Sequence, residues 1–129
     1  MILLDTHALV WMVGEPGRLS RAATTAIRAA QGQGGVGVSA ITLWELASLV
    51  ARGRIQAYGT VDASVRLLIE GITVKPITPE IAAVAAQFPD DFSKDPADRL
   101  IAATARAEGI GLVTRDEKLR RSPLLNTIW

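Results

Sequence analysis

Short apolar runs alternate along the chain with longer stretches in which apolar residues recur every three to four positions. Ile2–Asp5, Val36–Ser39, Ile72–Ile77 and Gly111–Thr114 read as strands, and Asn126–Trp129 is a candidate fifth. The first is continuously apolar, as expected of a strand buried on both faces of a parallel sheet. Helical periodicity covers Ala8–Val13, Arg21–Ala30, Ile41–Ala51, Asp62–Glu70, a segment opening at Pro79-Glu80, and Ala97–Glu108. Ser20 and Thr78 stand where N-caps belong, and Gly53, Gly71 and Gly109 stand where helices close. With no repeat, low-complexity tract or linker, the alternation predicts one α/β domain over residues 1–129. Its centre is a parallel sheet of four to five strands flanked by helices.

A chain of 129 residues suits one compact domain, and 49% hydrophobic with 21% charged residues is ordinary for a globular protein. Asp5 interrupts the opening apolar run too soon for a signal peptide, and no apolar run approaches the roughly 18 residues of a membrane span. A cytoplasmic protein with no membrane partner is expected. The absence of cysteine excludes disulfides and thiolate zinc sites. Net charge is +1, far less basic than expected of a protein that grips duplex nucleic acid by charge alone. Eleven of the 14 basic residues are nevertheless arginine, the better bidentate partner for phosphate. Arg52 and Arg54 bracket Gly53, and Arg115, Lys118, Arg120 and Arg121 cluster near the C-terminus. A solvated charged face is the commoner origin of such runs.

Four acids change the picture. Asp5 and Asp116 follow the first and fourth strand runs, Glu45 lies in the helix after the second, and Asp98 lies in the first turn of the helix opening at Pro96. In an open parallel sheet these places converge on the crevice at the carboxyl ends of the strands. Carboxylates gathered there repel one another unless a cation holds them. Each has a plainer role to weigh against that. Asp5 could cap the helix starting near Ala8, and Asp116 a short helix over Glu117–Arg121. Glu45 could sit on a solvated face, although Thr42, Glu45, Ser48 and Arg52 form a narrow polar stripe on a strongly apolar helix. Asp98 occupies the capping-box position after Asp95 and Pro96, yet aligns with the inward stripe Ile101, Ala102 and Ala105. Hard oxygen donors without Cys or clustered His favour Mg²⁺ or Mn²⁺ over Zn²⁺. One His and no Cys leave no Ser-His or Cys-His pair, so water is the expected nucleophile. His7 then reads as a structural hydrogen-bonder or a substrate contact rather than a catalytic base.

Leu3-Leu4-Asp5-Thr6-His7-Ala8-Leu9, Ser39-Ala40-Ile41-Thr42-Leu43-Trp44-Glu45, Asp95-Pro96-Ala97-Asp98-Arg99-Leu100-Ile101-Ala102-Ala103 and Leu112-Val113-Thr114-Arg115-Asp116 together resemble the PIN-domain ribonucleases of the VapC toxin type. The resemblance holds in order and spacing over nearly the whole chain. It implies a PIN-like fold and a Mg²⁺- or Mn²⁺-dependent endoribonuclease hydrolysing RNA with metal-activated water. It also implies a homodimer, held inactive by a small antitoxin within a larger toxin–antitoxin complex. By position it makes Asp5 and Asp98 the main metal ligands, with Glu45 and Asp116 completing the acidic site. Thr6 and Thr114 become hydroxyls supporting the ligands, and Asp95 the cap that holds Asp98. This chain departs from close relatives in carrying Ala97 where an aromatic residue is frequent, and Ser93-Lys94 where a His is frequent. That departure bears on substrate contacts rather than on the acids.

Two readings of other classes compete. A phosphoacceptor receiver domain also has an acidic Mg²⁺ pocket, and Lys75-Pro76 with Thr114 fits it superficially. That reading requires a pair of acids after the first strand and a Lys-Pro after the Thr strand, whereas here Asp5 stands alone and the order is reversed. A catalytically idle PIN fold serving only to bind a partner is the other, and the complete set of four acids speaks against it. The glycine-rich stretch Gly32–Gly37 lacks the Lys and Ser/Thr of a P-loop.

Overall fold

The computed structural model describes residues 1–129 as a five-stranded, all-parallel sheet with helices on both faces. The strands are β1 (Ile2–Leu4), β2 (Val36–Ser39), β3 (Thr73–Lys75), β4 (Leu112–Val113) and β5 (Thr127–Ile128), in the order β3-β2-β1-β4-β5. The chain therefore winds outward from β1 to β3, then returns to the other side of β1 through β4. Leu3 pairs with Gly37 on one side and with Leu112 on the other, so β1 is central and its carboxyl end lies at the point where strand order reverses.

Alternation of side chains across the pleat splits the core into two layers. Leu3 and Leu112 face Ile81, Phe88, Phe92, Ile101 and Leu119, while Leu4 and Val113 face Leu9, Ala23, Ile27 and Leu46. Leu3 and Leu4 are both fully buried, which is why β1 is apolar at consecutive positions.

The helices are α1 (Thr6–Gly14), α2 (Arg21–Gly32), α3 (Ala40–Ala51), α4 (Val61–Leu68), α5 (Pro79–Ala86), α6 (Pro96–Glu108) and α7 (Glu117–Arg121). Ser20 and Thr78 cap α2 and α5 through Ala23 and Ile81 N–H groups, as their sequence positions predict. Gly109 closes α6 in the left-handed region at φ 66°, a conformation that costs glycine little. Most element ends shift by one or two residues from those the sequence predicts, among them α4, which spans Val61–Leu68 rather than Asp62–Glu70. Two of the shifts have identifiable reasons. The expected strand Ile72–Ile77 contracts to Thr73–Lys75 because Pro76 has no N–H to give an edge ladder. The first helix starts at Thr6 rather than Ala8, because Asp5 itself accepts the Thr6 N–H at 2.8 Å and caps it. A 3-10 turn over Pro16–Arg18, not anticipated from periodicity, follows α1. No helix is long and apolar enough to cross a membrane.

Candidate functional site

Asp5 leaves β1 at the reversal of strand order and is only 5% exposed. Its Oδ1 caps α1, and its Oδ2 accepts the Thr114 hydroxyl at 2.7 Å. The same Thr114 oxygen accepts the Asp116 N–H at 3.0 Å, so one buried hydroxyl ties the end of β1 to the turn after β4. Asp116 then uses Oδ1 to accept the Lys118 and Leu119 N–H groups, capping α7. Capping and placement at the crevice thus coincide for both aspartates.

A second hydroxyl relay holds Glu45. Thr6 Oγ1 lies 2.5 Å from Glu45 Oε1 and 3.0 Å from the Thr42 hydroxyl. With Glu45 ionised, the single Thr6 proton goes to the carboxylate, so Thr42 must donate to Thr6. Thr42 is wholly buried, so the stripe seen in the sequence runs from a buried base through half-buried Glu45 and Ser48 to exposed Arg52. Glu45, Ser48 and Arg52 line a cavity of about 250 Å³ with Trp44, Leu49 and Arg54.

Asp95 caps α6 by accepting the Asp98 N–H at 3.0 Å, and Asp98 Oδ2 accepts the Ser93 hydroxyl at 3.0 Å. Burial pushes the Asp98 carboxyl up from 3.8 to about 6. The Ser93 hydrogen bond opposes that rise, and the charges of Asp5, Asp95 and Asp116 add to it. Glu45 is also raised, first by burial, with Thr6 opposing and Asp5 and Asp95 adding. The acids thus sense one another across the crevice, but they do not form a tight cage. No three His, Asp or Glu side chains stand at metal-ligand spacing. Asp98 and Asp116 share a cavity of about 500 Å³ whose rim carries Lys94, Lys118 and Arg121.

His7 Nε2 accepts the Arg115 N–H at 3.1 Å, which leaves the ring proton on Nδ1, 3.6 Å from Asp5 Oδ2. Nε2 is therefore engaged in a backbone contact and is not poised as a base. Lys75, which a receiver domain would need beside the acids, is paired at 3.6 Å with Glu108, at the opposite end of α6 from Asp98.

Arg99 escaped the sequence reading as anything more than part of a motif. Its guanidinium donates to the carbonyls of Ser93 (2.7 Å), Ala85 (3.0 Å), Phe88 (3.4 Å) and Pro89 (3.3 Å). It thereby pins the segment after α5 against α6 and delivers the Ser93 hydroxyl to Asp98. The only signal for it in the sequence is an arginine beside an inward-facing acid, which does not reveal carbonyl partners 6 to 14 residues away.

Comparison with known proteins sets this geometry in a family. The PIN domain model matches residues 2–123. The chain is 44% identical to Ribonuclease VapC22 of Mycobacterium tuberculosis (strain ATCC 25618 / H37Rv), over 99% of this chain and 98% of that protein. Among solved structures, VapBC2 from Rickettsia felis bound to a DNA fragment from their promoter superposes with TM-score 0.74 at 18% identity, covering 98% of this chain and 97% of that one. DNA-bound VapBC from Salmonella typhimurium superposes with TM-score 0.72 at 20% identity, covering 98% and 97%. At those identities the two structures speak for the fold.

Proposed function

The chain belongs to the PIN-domain family, in its VapC branch, and from that premise we propose that it is a divalent-metal-dependent endoribonuclease acting as the toxin of a toxin–antitoxin pair. The observation that carries this reading is the convergence of Asp5, Glu45, Asp98 and Asp116 on the crevice at the ends of β1 and β4. There, burial first, and then the charges of neighbouring acids, make the metal-free charges of Glu45 and Asp98 costly. The cytoplasm, where RNA is at hand, is its proposed location.

The donor set fits Mg²⁺ or Mn²⁺. Every candidate ligand is a carboxylate oxygen, and Mg²⁺ commonly rests on one or two carboxylates while keeping several waters. No three of the acids stand close enough to cage one ion, a spacing compatible with an ion that rests on one or two carboxylates and keeps its waters. Asp5 and Asp98 would hold the ion, with Glu45 and Asp116 acting directly or through water. Bound there, the ion supplies a water of lowered pKa and neutralises charge developing on the phosphate.

The chain's own residues do the rest. Thr114 fixes the carboxylate planes of Asp5 and the turn of Asp116, Thr6 fixes Glu45, and Ser93 fixes Asp98. Lys94, Lys118 and Arg121 rim the Asp98 cavity on the side where a phosphate backbone would lie. Buried hydroxyls that hold carboxylates this way need no reorganisation when the substrate arrives.

Purified protein should cut single-stranded RNA with Mg²⁺ or Mn²⁺ and stop on adding EDTA. Because a cation requires Asp98 ionised, the cleavage rate at subsaturating metal should rise as pH passes upward through about 6. Cleavage undiminished in EDTA, or a rate that falls across that range, would remove metal from the account.

For partners we propose a second copy of the chain and a small antitoxin. Trp44 is 64% exposed on α3, and Val61 and Leu67 are exposed on α4, the helix packed against it, leaving apolar surface that a partner helix could cover. Light scattering on the purified chain, and loss of cleavage on adding a stoichiometric small partner, are the checks.

A further inference from the structure

We propose that Trp11, flanked by Arg18 and Arg115 and backed by His7, is a stacking platform for an unpaired RNA base beside the acidic crevice. This rests on the nuclease reading above and adds to it the substrate element recognised. Trp11 lies one helical turn after His7 on α1, with ring centroids 5.0 Å apart and planes tilted by 54°. The Arg18 guanidinium sits 4.3 Å from the centre of the Trp11 ring, carried there by the 3-10 turn, and that of Arg115 sits 5.9 Å away. Trp129, from the far edge of the sheet, meets the indole at 5.8 Å.

Three features distinguish this group from ordinary core. Trp11 is partly exposed, and both arginines are exposed. Arg115 makes no ion pair, and Arg18 has only a 3.9 Å pairing with the exposed Glu15. Two positive charges held over an aromatic face without strong acidic partners suit a ligand that brings both a π-face and a negative charge. A nucleotide is such a ligand, since bases stack on indole and guanidinium planes while phosphates take the charge.

Position makes the case specific. His7, Trp11, Arg115 and Asp116 line a cavity of about 370 Å³, and Asp116 also lines the cavity of Asp98. A base on Trp11 would therefore belong to a nucleotide adjoining the one being cut. The His7–Arg115 hydrogen bond couples the platform to the turn that carries Asp116.

The test is equilibrium binding in EDTA, where no cleavage interferes, of a fluorescein-labelled single-stranded octaribonucleotide and an abasic oligomer of equal length. Wild-type protein should bind the base-bearing strand roughly tenfold more tightly than the abasic one. Trp11→Leu, which keeps apolar volume without a π-face, should lose most of that ratio, and Trp11→Tyr should keep it. Arg18→Ala, an exposed change that cannot unfold the chain through its core, should reduce the ratio should Trp11→Leu fail to fold. Equal affinity of the wild type for the two strands, or an unchanged ratio in both Trp11→Leu and Arg18→Ala, overturns the platform alone. Wild-type protein that binds neither strand in EDTA and cuts no single-stranded RNA in Mn²⁺ overturns the nuclease reading along with it.

Discussion

Asp98→Asn is expected to abolish RNA cleavage while making the metal-free protein more stable. Groups that merely support a metal ligand are commonly worth about 10–100-fold in metal affinity or activity, so losing a direct ligand should exceed a hundredfold. Stability moves the other way because the charge removed is one the metal-free fold disfavours. The folded carboxyl titrates at about 6 against 3.8 unperturbed, so between those values the native state binds more protons than the unfolded state. Metal-free stability therefore falls as pH rises through that window, and the penalty is complete above it. A fully buried group would lose about 3 kcal/mol, but Asp98 is only half-buried, and solvent screening brings this nearer to about 1 kcal/mol. Thermal unfolding in EDTA should show Asp98→Asn above wild type at pH 7.5, with the gap closing towards pH 4. A variant less stable than wild type at pH 7.5 would mean that Asp98 is held as a favourable cap rather than as a strained ligand.

Arg99→Ala carries the largest expected cost to stability. Hydrogen bonds from a charged donor contribute about 1.5–3 kcal/mol each, and two of the four that Arg99 makes are 3.0 Å or shorter. Allowing for water reaching the freed carbonyls, a loss of about 3 kcal/mol follows, or a melting temperature lower by roughly 10 °C at this chain length. Arg99→Lys should recover little, since one ammonium cannot span four carbonyls. Because the same segment presents Ser93 to Asp98, cleavage at a temperature where the variant is folded should also need more metal. A melting temperature within about 1 °C of wild type would show that the segment after α5 is held by its Phe88–Phe92 stacking instead.

What the sequence disclosed and what it withheld divide along physical lines. Caps are local, so Ser20, Thr78, Asp95 and Asp116 could be recognised from their immediate neighbours. The strand–helix alternation and the doubly buried β1 were equally legible, because periodicity records which faces are covered. Asp5 is harder to read, because a helix cap and a crevice acid call for the same position, and the structure gives it both roles. Long-range partnerships left no trace. The Thr114–Asp5 hydrogen bond spans 109 residues, and the Trp11 face meets Arg115 and Trp129 only because β1, β4 and β5 are neighbours. Thr42 shows the same limit in reverse. A stripe of polar residues on one helix implied a common environment, but Thr6 from another helix roofs Thr42 and leaves Glu45 at the edge.

The ends of the cleaved RNA test the central claim most directly. The proposed hydrolysis takes water as its nucleophile, in keeping with the engagement of His7 Nε2 by the Arg115 N–H. End analysis of single-stranded RNA cut by the wild type in Mn²⁺ should find linear phosphomonoester and hydroxyl termini from the earliest time points, and no cut strand in EDTA or with Asp98→Asn. Accumulation of 2′,3′-cyclic phosphate ends that persists in EDTA would mean that the RNA's own 2′-hydroxyl attacks without metal, and would contradict the account.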